Sequence, residues 1–181
     1  MKLRKLQIGV MGACEDLKYG KDMEVLAEQV GEEIAKRGAV LVFGAERDFD
    51  SLSTAASRGA KKAGGLTVGV TYGKGLDDVF NEADIIIATG LERGGGREFS
   101  LVLSCDGIIT INGGSGTLNE MVVAYQAGIP IIALKNSGGW SEKLAGEFID
   151  DRKRLKVVGV ENAKEAIEVL ITLIENRKVK Q

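Results

Sequence analysis

A chain of 181 residues, 44% hydrophobic and 28% charged, is long enough for one domain with a sizeable core. Its net charge of −2 argues against a broad basic face for nucleic acid, and no apolar run reaches the length that spans a bilayer. Histidine is absent, which excludes Ser-His-Asp and Cys-His nucleophile systems and removes the commonest metal ligand.

The basic start, Met1-Lys2-Leu3-Arg4-Lys5-Leu6, runs straight into a strand pattern without the apolar core and cleavage site of a signal peptide, so a cytoplasmic location is expected. Lys5 to Gly12 reads as a first buried strand. Asp22 is the expected cap of a helix that runs to Arg37, with Met23, Leu26, Ala27, Val30 and Ile34 on one stripe. Ala39 to Phe43 is a second strand, followed by the loop Gly44-Ala45-Glu46-Arg47. Asp50 or Ser51 caps a small-residue helix from Leu52 to Ala63, and Leu66 to Thr71 is a third strand. A short helical turn near Asp77–Asn81 leads to a fourth strand, Ala83 to Ala88.

A glycine-rich connection, Thr89 to Gly96, precedes a helix from Arg97 to Ser104. Gly107 to Ile111 is strand five, Thr117 to Ala127 a helix, and Pro130 to Leu134 strand six. A short helix from Glu142 to Phe148, a last strand at Val157-Val158 and a C-terminal helix from Glu161 or Asn162 complete the series, with Arg177 to Gln181 as a frayed tail. Strands alternate with helices and read as continuous apolar runs. The expected fold is α/β: a single doubly wound Rossmann-like domain over residues 1–181, a mostly parallel sheet of about seven strands with helices on both faces. Ligands of such sheets bind beyond the carboxyl ends of the strands. The loops Gly12–Lys21, Gly44–Asp50, Tyr72–Asp77, Thr89–Gly96, Asn112–Gly116 and Lys135–Trp140 therefore form the candidate site.

The strongest local signal is Gly113-Gly114-Ser115-Gly116-Thr117, a glycine loop between a buried strand and a helix N-terminus. Glycines let backbone N–H groups approach an anion, and the helix dipole favours negative charge there. A dinucleotide fingerprint lacks its third glycine, because Asn119 stands in that place. A Walker loop lacks its lysine. A lone terminal phosphate, as in a nucleoside monophosphate, fits best. Thr117 and Glu120 also fit a capping box, in which each satisfies a backbone N–H at the helix start. Arg97 begins the helix after strand four, where a cation opposes the macrodipole. If strands four and five are neighbours, Arg97 and Glu120 face one cleft; the alternative is a salt bridge that only holds two helix starts together. Arg93 could be a second phosphate ligand. The cysteines Cys14 and Cys105 have no metal-ligand spacing and read as small buried hydrophobes.

Gly-Gly-x-Gly-Thr-x-x-Glu at 113–120, with an arginine 23 positions upstream, resembles the Lonely-guy family of nucleoside 5′-monophosphate phosphoribohydrolases, long labelled lysine decarboxylases. The resemblance implies Arg97 and Glu120 as the catalytic pair, with Gly113, Gly114, Gly116 and Thr117 on the phosphate. Three departures stand out: Asn112 replaces the family's proline, Glu98 stands where it has lysine, and Gly44-Ala45-Glu46-Arg47 replaces a glycine run. In these the chain is similar to a sister branch, the molybdenum-cofactor carrier proteins, which bind a pterin phosphate without cleaving it. The resemblance thus implies no required cofactor or metal and a molybdopterin-type ligand, with phosphoribohydrolase activity as the alternative. Single-stranded DNA binding, as in the related DNA-processing protein A fold, fits poorly with the acidic charge. The family also implies a homodimer or larger homo-oligomer through Phe99–Ser104 and Met121–Ala127, with Leu101, Val102, Met121, Val122 and Tyr125 serving either the core or a partner.

Overall fold

A computed structural model describes residues 4–77, 83–91 and 96–179. Arg93 and most of the expected turn at Asp77–Asn81 lie outside the described residues. In chain order the elements are β1 (Gln7–Gly12), α1 (Lys21–Lys36), β2 (Val40–Gly44), α2 (Leu52–Lys62), β3 (Leu66–Thr71), β4 (Ile85–Ala88) and α3 (Gly96–Leu103). They continue with β5 (Gly107–Ile111), α4 (Ser115–Gln126), β6 (Ile131–Leu134), α5 (Gly139–Leu144), β7 (Val158–Val160) and α6 (Ala163–Val179). The seven strands form one sheet in the order β4-β3-β2-β1-β5-β6-β7, every pair parallel, as the run of buried strands and crossover helices predicts.

Period-two alternation sends side chains to both faces. Leu41 and Phe43 of β2, Ile109 and Ile111 of β5, and Ile132 and Leu134 of β6 pack with α1, α2 and α6. Val40 and Val42, Ile108, and Ile131 and Ala133 pack on the other face with α3 and α4. Leu101, Val102, Met121 and Tyr125, which the sequence offered equally to a partner, are spent on this second core. Among the described residues no helix is long and apolar enough to cross a membrane.

Several boundaries differ from expectation for local reasons. Helix α1 starts at Lys21 with Gly20 as its cap, so Asp22 sits inside the first turn, where its charge complements the dipole. Ser51, not Asp50, caps α2, its Oγ accepting from the Thr54 N–H at 3.1 Å, while Asp50 pairs with Arg58. Helix α5 is shorter and earlier than Glu142–Phe148, and β7 is Val158–Val160. Arg177 is not frayed: α6 carries it to Ala127, whose carbonyl accepts from Nη2 at 3.1 Å.

The placement of β4 matters most for the site. It is an edge strand beside β3, on the far side of β1 from β5, so strands four and five are not neighbours. The chain leaves β4, and α3 then packs against β2, β3 and α4 on its way to β5. The direction in which successive strands are added reverses at β1, which lies between β2 and β5, and a crevice forms at such a switch point.

At the opposite edge, Asp106 ties the start of β5 to the start of β1. Its carboxylate accepts from both Arg4 Nη atoms, at 2.7 and 2.9 Å, and from the Gln7 N–H at 2.9 Å. Replacing Asp106 by Ala strands a partly buried N–H and is expected to cost about 1–3 kcal/mol in urea unfolding. Asp106→Asn, which still accepts from Gln7, should recover part of that loss. Equal stability of Asp106→Ala and wild type would rule the clamp out.

Candidate functional site

A cavity of about 440 Å³ opens at this switch point. Its walls come from the loop after β1 (Gly12, Ala13, Cys14, Asp16, Leu17), from Glu46 after β2, from Arg97 and Glu98 of α3, and from the start of α4 (Gly114 to Thr117, and Asn119). The volume is that of a small-molecule site.

The α4 wall is built on backbone. Asn112 and Gly113 both take left-handed conformations, φ +56° and +97°. Asparagine tolerates that region, whereas a proline, held near −65°, could not. The Asn112 Oδ1 accepts from the Gly113 N–H at 2.7 Å. A Cβ on Gly113 would overlap the Thr117 side chain, so the turn requires glycine on both counts. Gly114 then caps α4 in an extended conformation, and among the described residues no side chain caps the helix. The first N–H groups of a helix have no intrahelical partner. Here they border a cavity. Since α4 starts at Ser115, Thr117 and Glu120 lie inside the helix, and the capping box is not formed.

The loop Lys135–Trp140 does not reach the cavity wall. It braces the turn from beneath: Ser137 Oγ accepts from the Asn112 N–H at 2.9 Å, the Trp140 N–H donates to the Gly113 carbonyl at 3.0 Å, and Ser141 Oγ donates to the Asn112 carbonyl at 2.7 Å.

The α3 wall is electrostatic. Arg97 is only 6% exposed. Its Nη2 donates to Glu46 Oε1 at 3.0 Å and lies 3.5 Å from Glu98 Oε1. Gly44 ends β2 directly against it, since a Cβ there would overlap the guanidinium. Arg97 Nε has no hydrogen-bond partner among the described residues. Burial opposes the charge on Arg97, but Glu120, Glu46 and Glu98 outweigh it and raise its pKa above the ordinary guanidinium value. Glu120, on α4, is buried and pushed up to about 7, first by desolvation. Arg97 pulls its pKa down, while Glu98 and Glu46 push it further up.

Arg97 and Glu120 are therefore coupled, as the spacing suggested, but by a different route. Helix α3 brings Arg97 back across β3 and β2, and the pair does not stand alone. Glu46 is the residue that the sequence analysis did not single out. Its only signal was a carboxylate in a loop after a strand, where the resembling family has glycine. Glu98, noted as a charge reversal, closes the same cluster. Cys105 is buried as expected, whereas Cys14 is half-buried and lines the cavity.

The model of the SLOG cluster4 family matches residues 5–167. An uncharacterized protein of Archaeoglobus fulgidus is 37% identical over 136 residues, which is 74% of this chain and 82% of that protein. Among solved structures, the molybdenum cofactor binding protein of Rippkaea orientalis is 33% identical with a TM-score of 0.80, covering 96% of this chain and 99% of its own. The molybdenum cofactor carrier protein of Chlamydomonas reinhardtii is 27% identical with a TM-score of 0.76, covering 95% and 99%. These likenesses bear out the resemblance to the Lonely-guy superfamily and, within it, to the molybdenum-cofactor carrier branch.

The position of Glu120 makes stability depend on pH. Unfolded, its carboxyl titrates near the ordinary 4.5; folded, it titrates at about 7. Between these values the folded chain holds a proton that the unfolded chain has lost, so stability falls as pH rises through that window. Thermal melts from about pH 5 to about pH 8 should show this fall, and Glu120→Gln should flatten it. An unchanged slope in that variant would show that Glu120 is not the group responsible.

Proposed function

We propose that this chain, which belongs to the SLOG cluster4 family, binds a phosphorylated small molecule, a nucleoside monophosphate or a pterin phosphate, as a carrier or sensor. The observation that carries this reading is the uncapped start of α4 bordering the cavity at the switch point. In it, Gly113 shapes the turn, the N–H groups of Gly114, Ser115 and Gly116 hold the phosphate, and the Thr117 hydroxyl donates to it. Among the described residues no lysine lines the wall, which suits one phosphate better than three. The cofactor-binding proteins of R. orientalis and C. reinhardtii support a molybdopterin-type ligand. The donor set fits its phosphate arm. We extend the reading to the whole of residues 1–181 as one domain.

Binding is favoured over catalysis because Arg97 already has carboxylate partners on the chain itself. The second reading, a phosphoribohydrolase, draws on Glu120, a buried acid near neutrality beside Arg97. Glu120 would stabilise the oxocarbenium-like centre and activate water as the N-glycosidic bond breaks. It requires release of free base from adenosine monophosphate by wild type and none by Glu120→Ala. We also propose self-association through α3, where Phe99 and Leu103 stand 51% and 58% exposed one turn apart. A monomer in light scattering would remove that proposal.

Ser115 is exposed in the first turn of α4, so Ser115→Asp separates binding from folding. The new charge complements the helix dipole and should leave the melting temperature unchanged or slightly higher. The same charge repels a phosphate, so affinity for a nucleoside monophosphate or pterin phosphate should fall about tenfold or more in titration calorimetry. Undiminished affinity would place the phosphate elsewhere.

A further inference from the structure

Leu17 is the one large apolar side chain among the described residues that line the cavity. It ends the short turn Glu15–Leu17 in the loop after β1, is 52% exposed and belongs to neither face of the apolar core. Single exposed leucines are ordinary on protein surfaces, so exposure alone assigns it nothing. Its position does. A Cβ built on Gly114 would stand 2.9 Å from Leu17 Cδ1, so the leucine rests against the residue that caps α4. Backbone bonds hold the turn there. The Glu15 N–H donates to the Asp50 carbonyl at 2.9 Å, the Leu17 N–H to the Cys14 carbonyl at 3.0 Å and the Lys18 N–H to the Glu15 carbonyl at 2.9 Å. The turn is thus tied to the loop before α2, and it carries an apolar group to the start of α4.

In the phosphate reading above, an oxygen on the Gly114 N–H lies about 2.9 Å from that nitrogen. Leu17 and the phosphate then meet at one residue, and the first atoms beyond the ester oxygen come within reach of the leucine. A hydroxylated group there leaves Leu17 in water, whereas a ring or hydrocarbon face covers it and removes its surface from solvent. We propose that Leu17 selects a phosphate monoester with an apolar ring next to the ester bond, over inorganic phosphate and over esters with small or hydroxylated substituents. The proposal rests on the phosphate reading and names the part of the ligand that adjoins the phosphate. The two elements divide the work. Backbone N–H groups at a helix start hold a phosphate whatever it is attached to. Leu17 responds to what it is attached to, because only the attached group can cover it. Covering the exposed half of a leucine corresponds to about fivefold in affinity.

Titration calorimetry with the full chain tests it at about pH 8, where phosphate monoesters carry their full charge. Phenyl phosphate, methyl phosphate and ribose 5-phosphate share the phosphate and differ in what adjoins it. Phenyl phosphate should bind about fivefold or more tightly than either of the others. In Leu17→Ser that preference should fall to within about twofold. Leu17→Met, which keeps an apolar side chain of similar volume, should retain it. Leu17 lies outside the core, so Leu17→Ser should fold, and Leu17→Ala makes the same comparison if it does not. If the three wild-type affinities lie within about twofold of one another, or ribose 5-phosphate binds as tightly as phenyl phosphate, the proposal falls and the phosphate reading survives. A preference that persists undiminished in the folded serine or alanine variant also overturns it, because it then comes from another part of the wall. If none of the three, nor inorganic phosphate, shifts the melting temperature, the phosphate reading falls as well.

Discussion

A guanidinium held almost out of water sets the terms for the carboxyl edge of this sheet. Removing an ion of that size from solvent costs several kcal/mol unless partners replace the water, so Arg97 dictates what stands around it. Glu46 reaches it from the loop after β2, Glu98 from its own helix, and Glu120 acts on it from α4. Gly44 gives it room at the end of β2. Three parts of the chain, Gly44 with Glu46, Arg97 with Glu98, and Glu120, are thus brought together. The consequence for Glu120 is unusual protonation. It is coupled to a cation, yet two other carboxylates and its own burial outweigh that cation, and its pKa rises.

The neighbouring wall depends on different physics. The start of α4 displays backbone donors, and their direction is fixed by the turn beneath them. Asn112 and Gly113 make that turn by entering left-handed conformations. The segment after β6 holds it from below through Ser137, Trp140 and Ser141. Conformations of this kind persist only where their surroundings over-determine them. The hydrogen bonds to Asn112 and Gly113 do so, and they leave the helix start rigid without placing a side chain on it.

The layered α/β fold was legible because buried parallel strands and crossover helices leave separate periodicities, and β3 and β5 fall where the apolar runs place them. The glycine loop was legible for the same reason, since strand, glycines and helix adjoin in sequence. Sheet order was not. Nothing local in Ala83 to Ala88 says that β4 is an edge strand, so the assumed neighbouring of β4 and β5 was wrong, and the electrostatic coupling of Arg97 to Glu120 arises by another route. The capping box was a sound local pattern read three residues out of frame, because Gly114 and not Thr117 takes the cap and the helix starts nearer the N-terminus. Glu46 was hidden because its meaning lies in a partner 51 residues away. Single-sequence periodicity carries no information about such a contact. Leu101 and Met121 show the same limit from the other side: an apolar helical stripe does not say which surface it meets, and here it meets the sheet.

The two walls also differ in how freely sequence can change them. A backbone anchor survives most side-chain substitutions around it, because no side chain supplies its donors. A wall of charged side chains changes sign with one or two replacements. The resemblance implies a lysine where Glu98 stands and a glycine near Glu46. With those residues Glu120 would be the one acid of the three left to act on Arg97. Here both positions are acidic, so the guanidinium is paired within its own chain. Under the proposed reading, the same glycine loop can therefore serve an enzyme in one branch and a binding protein in another. The anchor is kept by the fold, and the chemistry next to it turns on the residues that occupy two positions beside one arginine.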